Sequence, residues 1–206
     1  MQKLSWPNRL TLTRILLVAP FVVMLFNVQD PDWGDAARYA ALAIFAVMAV
    51  SDGLDGYLAR RLKQETAIGR FLDPVADKLL ILCSVALLTH HDTHVPGCQL
   101  PHYVAVLVIG KDLIIMLGFC IVYLTTTQIY INPRLSGKLC TSFQLLMVIA
   151  VLLSPDLPNA LAGLPRLLWW AASVLAIVTV IHYFQLGRRF VAQYEQSQES
   201  DTPKSE

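Results

Sequence analysis

Apolar residues along this chain are concentrated in six stretches, and the polar residues between them fall into short connections. Because a helix needs about 20 predominantly apolar residues to cross the hydrocarbon of a bilayer, runs of this length predict transmembrane helices. The third run begins with two aspartates and a lysine, and the fifth is short for a full crossing. The pattern predicts an all-α integral membrane protein with six transmembrane helices: Leu10–Phe26, Ala37–Leu58, Phe71–Leu88, Val104–Leu124, Leu139–Leu153 and Leu167–Phe184.

The two ends of the chain differ from these runs. The first residues, with Trp6 at headgroup level, are expected to lie along the membrane interface. From Gln193 onwards the sequence is polar and poor in apolar residues, which predicts disorder. We therefore expect one transmembrane domain at residues 1–192 and a disordered tail at 193–206.

Charge adds an orientation to this picture. The chain is 55% hydrophobic and only 15% charged, below the charged share of an ordinary soluble domain. Its net charge of +1, with no basic stripe, argues against a nucleic-acid partner. Lys and Arg cluster at the N-terminus, in the second and fourth connections and after the sixth run, whereas the alternate connections are acidic or neutral. This positive-inside pattern predicts a multi-pass protein of the cell (inner) membrane with both termini in the cytoplasm.

Four aspartates interrupt the apolar pattern on the side predicted to be cytoplasmic. Asp52 and Asp55 are spaced i, i+3, and Asp73 and Asp77 are spaced i, i+4. On a helix, each pair lies on one face. A carboxylate well inside a bilayer costs roughly 2.5–3.5 kcal/mol on insertion scales, so four at regular spacing indicate function. Facing one another, they form an all-oxygen site that suits Mg²⁺ or Mn²⁺.

The residues around the aspartates favour a diphosphate ligand. Gly53, Gly56 and Ala59 remove side chains from part of the first acidic helix, so that a ligand can approach its backbone closely. Arg60 follows one turn after Gly56, and Gly69 precedes the second acidic helix. Carboxylates for metal, small residues and an arginine fork together indicate phosphoryl-type transfer, in which one carboxylate takes a proton from an attacking hydroxyl.

These residues make up the pattern D-x2-D-G-x2-A-R-x8-G-x3-D-x3-D, and every position of it is met. The chain thereby resembles the CDP-alcohol phosphatidyltransferase family. The resemblance extends to PNRLTLTR at Pro7–Arg14, to LDPVADKLL around Asp73 and to a GKxxT-like segment at Gly137–Thr141 followed by Gln144. It covers the whole transmembrane region and excludes the tail.

The resemblance implies a set of roles. Two divalent ions would be held by Asp52, Asp55 and Asp73, with Asp77 as an additional ligand and as the general base. The donor would be CDP-diacylglycerol, from which CMP leaves when the acceptor hydroxyl attacks the β-phosphorus. The family also implies a homodimer with a polar cavity open to the cytoplasm. The donor contacts would come from Asn8, Thr11, Gly56, Ala59, Arg60, Thr66 and Gly69.

The acceptor alcohol depends on residues outside the signature. An intramembrane lysine such as Lys111 indicates function, and we expect it to bind the phosphate of an anionic acceptor together with Arg134 and Lys138. Glycerol 3-phosphate would fit such a site. A structural pair of Lys111 with Asp112 is the alternative interpretation.

Two further alternatives remain open from the sequence. The motifs resemble phosphatidylglycerophosphate synthases most, but they resemble nearly as much the cardiolipin synthases of this family, whose acceptor is phosphatidylglycerol. The pair Lys111–Asp112 stands where an Arg–Glu pair is commoner in the first group. Outside the enzymes, a cation-coupled transporter would also carry intramembrane carboxylates, although such proteins often show internal repeats and the acidic motif occurs here once.

Overall fold

The chain is all-α in a computed structural model that describes residues 6–62, 67–126 and 135–201. No strand occurs within those ranges, and two short 3₁₀ turns at Ser154–Asp156 and Asn159–Leu161 precede the last helix. The six α-helices of the described residues match the six predicted runs in order and position. They are α1 Trp6–Phe26, α2 Gly34–Leu62, α3 Ala67–Thr89, α4 His102–Thr126, α5 Leu135–Leu152 and α6 Leu164–Asp201.

The helices pack as two groups that share one apolar core. In the first group α1 lies between α2 and α3, and in the second α6 lies between α4 and α5. Contacts of α3 with α4 and of α2 with α5 join the groups. Phe21 of α1 and Phe45 of α2 meet in the core with ring centroids 5.7 Å apart. This contact fixes the register of two antiparallel helices and brings the start of α1 to the same end of the bundle as the end of α2.

A buried arginine joins three segments at the opposite end of the bundle. Arg38 in α2 is only 3% exposed and donates hydrogen bonds to both carboxylate oxygens of Asp156, at 2.6 and 3.2 Å. It also donates to the Leu152 carbonyl at the end of α5 and lies over the ring of Tyr39, whose hydroxyl donates to Asp156. Because a guanidinium offers a rigid fork of donors, one side chain holds α2, α5 and the 3₁₀ turn together.

The outer surface of the bundle is apolar. Leu16, Val106, Met116 and Phe184 are each about two-thirds exposed, and many other large apolar side chains are exposed with them. By length and hydropathy, Gly34–Ser51 and Asn159–Arg188 are the stretches of the described residues that suffice to cross a membrane. Leu12–Phe26, Lys78–Thr89 and Gly137–Leu152 are apolar but shorter. The all-helical prediction is confirmed for the described residues, whereas the count of six crossings stays a prediction.

The structure differs from the sequence prediction at both ends. Residues 6–9 continue directly into α1, and the predicted interfacial residues 1–5 lie outside the described residues. α6 extends to Asp201, so residues 193–201 are helical where disorder was predicted. Gln and Glu, which make up five of these nine residues, favour helix without needing an apolar face, which hydropathy does not register.

Candidate active site

Both acidic pairs lie in uninterrupted helix. Asp52 and Asp55 fall in the second half of α2, and Asp73 and Asp77 fall in the first half of α3. In continuous helix the spacings i, i+3 and i, i+4 place the members of each pair on one face, as the sequence analysis required. The helical positions of the four aspartates are therefore as the sequence predicted, and a magnesium site formed by them stays a prediction.

The two acidic segments lie at one end of the bundle. α2 ends at Leu62 and α3 begins at Ala67, and a connection of this length spans at most about 17 Å. Asp55 and Asp73 are each about two turns from those helix ends. α1 packs against both acidic helices, and its first turns, with Asn8 and Thr11, belong to the same end.

The remaining donor positions follow the same helices. Gly56, Ala59 and Arg60 lie in the last turns of α2, and Gly69 lies in the first turn of α3. Thr66 lies outside the described residues, as does Arg134 of the acceptor group. The assignment of ligands and of donor contacts to these residues stays a prediction.

A buried cation lies level with the first aspartate. Arg14 of α1 is 1% exposed. Since Phe21 of α1 meets Phe45 of α2, stepping two turns back along α1 and the same distance forward along antiparallel α2 brings Arg14 to the level of Asp52. The sequence marked Arg14 as part of the positive-inside pattern and of the PNRLTLTR segment, but it gave no sign that the side chain is buried.

Three charged side chains meet between α3 and α4. The Lys111 ammonium, whose side chain is 3% exposed, lies 2.7 Å from Oδ1 of Asp112. The same oxygen lies 2.5 Å from the ammonium of Lys78 on α3. One carboxylate thus serves two cations, which leaves this charged cluster of Lys78, Lys111 and Asp112 with a net positive charge, suited to an anion.

The charged cluster combines the two interpretations of Lys111. Lys111 does form the Lys–Asp pair that was the alternative to a ligand-binding role, but Asp112 is shared with Lys78. Sequence reasoning missed Lys78, although a lysine directly after Asp77 inside an apolar run was a visible signal. The other lysine of the predicted acceptor group, Lys138, is exposed at the start of α5.

Gly137, Cys140 and Gln144 lie one turn apart along α5, and Cys140 lies near the charged cluster. Cys140 is buried beside Thr179 of α6 and lies within electrostatic range of all three members of the charged cluster. One turn before it, a side chain at Gly137 would place its Cβ 3.3 Å from the hydroxyl oxygen of Tyr183. One turn after it, Gln144 is fully buried. Cys140 thus lies near the charged cluster, and Gly137 and Gln144 share its face of α5.

Comparison with known proteins decides the family. The family model for CDP-alcohol phosphatidyltransferase matches residues 4–184. The chain belongs to the CDP-alcohol phosphatidyltransferase family. This assignment confirms the resemblance drawn from the acidic motif, and it replaces the transporter alternative with a membrane-bound transferase, with which the apolar helices are compatible.

Curated members of this family resemble the chain over nearly its whole length. The CDP-diacylglycerol–glycerol-3-phosphate 3-phosphatidyltransferase of Bacillus subtilis (strain 168) is 30% identical over 189 residues, covering 86% of this chain and 92% of the relative. The protein of the same name from Escherichia coli (strain K12) is 34% identical over 188 residues, covering 88% of this chain and 94% of the relative. The protein of that name from Shigella flexneri serotype 5b (strain 8401) is also 34% identical over 188 residues.

Proposed function

We propose that this chain transfers a phosphatidyl group from CDP-diacylglycerol to glycerol 3-phosphate and releases CMP, a step of phospholipid biosynthesis. The single observation that carries the proposal is the complete acidic motif on two continuous helices, α2 and α3, at one end of an apolar bundle. The names of the relatives support glycerol 3-phosphate as the acceptor. They do not favour phosphatidylglycerol, the acceptor of the cardiolipin synthase alternative.

The acidic motif would hold two divalent ions, Mg²⁺ or Mn²⁺. Asp52, Asp55 and Asp73 are the proposed ligands, with Asp77 as a further one, because hard divalent cations prefer carboxylate oxygens. When bound, such ions neutralise charge on a diphosphate and orient it for displacement. Arg60, one turn beyond Gly56 in α2, is the proposed contact for a phosphate of the donor.

Asp77 is the proposed general base. It accepts the proton of the acceptor hydroxyl as that oxygen bonds to the β-phosphorus of CDP-diacylglycerol. The bond between the β-phosphorus and the bridging oxygen breaks, and CMP leaves with that oxygen. The next residue, Lys78, forms an ion pair with Asp112 of α4, which holds this turn of α3 against α4.

The charged cluster supports an anionic acceptor. Lys111 is buried and shares its only counter-ion in the cluster with Lys78, so an added anion gains more there than at a neutral site. The phosphate of glycerol 3-phosphate carries such a charge. Lys138 and Arg134, on and before the first turn of α5, are the proposed further contacts.

Membrane placement completes the proposal. In the proposed arrangement the six helices cross the inner membrane with both termini and the acidic end of the bundle in the cytoplasm, which the apolar surface and the charge pattern support. A nucleotide-bearing donor and a soluble phosphate ester meet the enzyme on that side. A homodimer is proposed from the family resemblance.

An acceptor panel tests the function. Purified protein in detergent with magnesium and CDP-diacylglycerol is expected to release CMP with glycerol 3-phosphate. Choline, inositol and serine are expected to support little release. Asp77→Asn should abolish turnover while leaving magnesium binding, measured by calorimetry, largely intact, because the other three aspartates remain as ligands. Release of CMP with none of the alcohols would contradict the enzyme assignment, and normal turnover by Asp77→Asn would remove the proposed base.

A further inference from the structure

Gln144 has no role in the chemistry described above, although it lies in the interior of the bundle. Its side chain is completely buried, and within the described structure neither its amide nitrogen Nε2 nor its amide oxygen Oε1 has a hydrogen-bond partner. Buried amides are almost always hydrogen-bonded, so an amide with both groups open indicates a missing partner.

Three other buried polar side chains of the bundle are satisfied within their own helices. The hydroxyls of Ser84, Ser173 and Thr179 each donate to the carbonyl four residues earlier, at 2.6–2.8 Å. A glutamine has the same backbone within reach, yet Gln144 makes no such bond. Its amide is therefore available to a ligand.

The position of Gln144 connects it to the charged cluster. It lies four residues after Cys140, so the two side chains share a face of α5 and their levels differ by about 6 Å. Cys140 is the α5 residue within electrostatic range of Lys78, Lys111 and Asp112. Because α5 ends at the Arg38 end of the bundle, Gln144 lies on the side of Cys140 that is farther from the acidic end.

The chemistry of the amide selects the group that it binds. Oε1 requires a donor, which a phosphate dianion cannot supply, and Nε2 requires an acceptor. A hydroxyl both donates and accepts. The cations of the charged cluster attract the phosphate of an acceptor, whereas Gln144, whose side chain leans back along α5 towards the level of Cys140, suits an uncharged, hydroxyl-bearing part of the same molecule next to that phosphate.

We propose that Gln144 is a specificity-determining residue that hydrogen-bonds the acceptor hydroxyl not consumed in the reaction, the 2-hydroxyl of glycerol 3-phosphate. This inference rests on the proposed function. Gln144 would then discriminate between acceptors by their 2-hydroxyl, because an analogue without that hydroxyl leaves the buried amide unsatisfied.

A cycle of two acceptors and two proteins tests the role. The acceptors are glycerol 3-phosphate and 3-hydroxypropyl phosphate, which keeps the attacking hydroxyl and the phosphate but lacks the 2-hydroxyl. Wild-type protein is expected to prefer glycerol 3-phosphate in kcat/KM by about tenfold or more. Gln144→Leu should lose most of that preference by lowering kcat/KM for glycerol 3-phosphate alone, with less than about a twofold change for the analogue. Gln144→Met, closer in shape, should behave in the same way.

Several outcomes overturn the role. The role is contradicted if Gln144→Leu lowers kcat/KM equally with both acceptors or lowers it with neither. It is also contradicted if the variant raises the KM for CDP-diacylglycerol and leaves the preference between the acceptors unchanged. Equal use of the two acceptors by wild-type protein would contradict it without any variant. Ser173→Ala, which removes a buried hydroxyl that is already satisfied within α6, serves as the control and should keep the wild-type preference. Failure of wild-type protein to use either acceptor would instead contradict the proposed function, and the role of Gln144 with it.

Discussion

Lys111 shows how a single side chain is constrained when its charge lies inside an apolar bundle. Its ammonium is almost inaccessible, and Asp112 stabilises it at 2.7 Å. Asp112 also binds Lys78, so neither lysine has a counter-ion of its own in the charged cluster. A site of this kind binds an anion more readily than two separate Lys–Asp pairs would.

Removal of Lys111 should therefore affect one substrate. Lys111→Met is expected to raise the KM of glycerol 3-phosphate by about 10- to 100-fold, the range for a lost hydrogen bond to a charged group, and to change the KM of CDP-diacylglycerol by less than about twofold. Steady-state kinetics with each substrate varied in turn measure both values. Ser84→Ala, whose hydroxyl donates within α3, is the control for a buried polar change. A similar rise in both KM values would show that Lys111 acts through structure alone.

The sequence anticipated part of this site. It marked Lys111 because a lysine in mid-span is costly, and it named Asp112 as a neighbour. It missed Lys78 and left Gln144 without a role, because spacing along one helix does not show which side chains on another helix it meets. The pairing of α3 with α4, which brings Lys78 to Asp112, is a property of tertiary packing.

The ion pairs between helices differ in how much they stabilise the bundle. Lys78 and Asp112 join α3 to α4, and Asp112 also neutralises a buried ammonium. Lys78 is 44% exposed, whereas the Lys111 side chain is 3% exposed. Loss of the carboxylate thus leaves a buried charge, while loss of Lys78 removes only a partly solvated pair.

The two single variants should differ accordingly in stability. Asp112→Asn is expected to cost about 3 kcal/mol, the range for breaking a buried pair. Lys78→Met should cost about 1 kcal/mol or less because solvent screens the pair. Thermal unfolding in detergent gives both values, and the double variant should cost less than the sum, since Asp112→Asn already removes the bridge. Equal costs, or full additivity, would contradict the sharing of Asp112.

The stability contributed by the Arg38–Asp156 ion pair, at the opposite end of the bundle, depends on pH. The hydrogen bonds from Arg38, assisted by the Tyr39 hydroxyl, hold the pKa of Asp156 below its usual value. A carboxyl whose pKa is lower in the folded than in the unfolded protein contributes stability that is full above about pH 4 and is lost as the pH falls through the folded value.

We therefore expect the melting temperature of the wild-type protein to fall below about pH 4, with Asp156→Asn less stable at neutral pH but flatter in acid. Melting curves from pH 3 to 7 test this. Asp32→Asn removes an exposed carboxylate from the first connection and should keep the wild-type slope. An unchanged acid slope in Asp156→Asn would show that this carboxyl contributes nothing to the pH dependence.

The helices themselves were largely predictable. Apolar runs located the six helices of the described residues, and apart from the end of α6 the helix ends moved by only a few residues, because charged and polar residues such as Arg61 and Gln193 do not stop a helix in the way that they stop an apolar run. α6 shows the largest difference, extending past Phe184 to Asp201 on polar helix-favouring residues.

At the scale of the whole molecule, an apolar exterior surrounds an apolar core that contains a few buried charged side chains, among them Arg14, Arg38 and Lys111. Exposed leucine, valine and phenylalanine side chains are unfavourable in water and favourable in hydrocarbon. Together with the alternation of basic and acidic connections, this surface supports the proposed orientation of six crossings with the acidic end of the bundle in the cytoplasm.

Cysteine labelling tests that orientation. After replacement of the four native cysteines, Asp92→Cys in the α3–α4 connection should react with a membrane-impermeant maleimide on right-side-out spheroplasts. Lys63→Cys, in the connection between the acidic helices, should react only after the membrane is opened. The reverse pattern would place the active site outside the cell.

The most direct test of the central claim is the identity of the lipid product. Purified protein in liposomes, with magnesium and CDP-diacylglycerol, receives glycerol 3-phosphate and phosphatidylglycerol at equal concentration, and mass spectrometry identifies the new lipid. We predict phosphatidylglycerophosphate, formed in amounts equal to the CMP released and absent with Asp77→Asn. Cardiolipin as the main product, or no new lipid at all, would contradict the account.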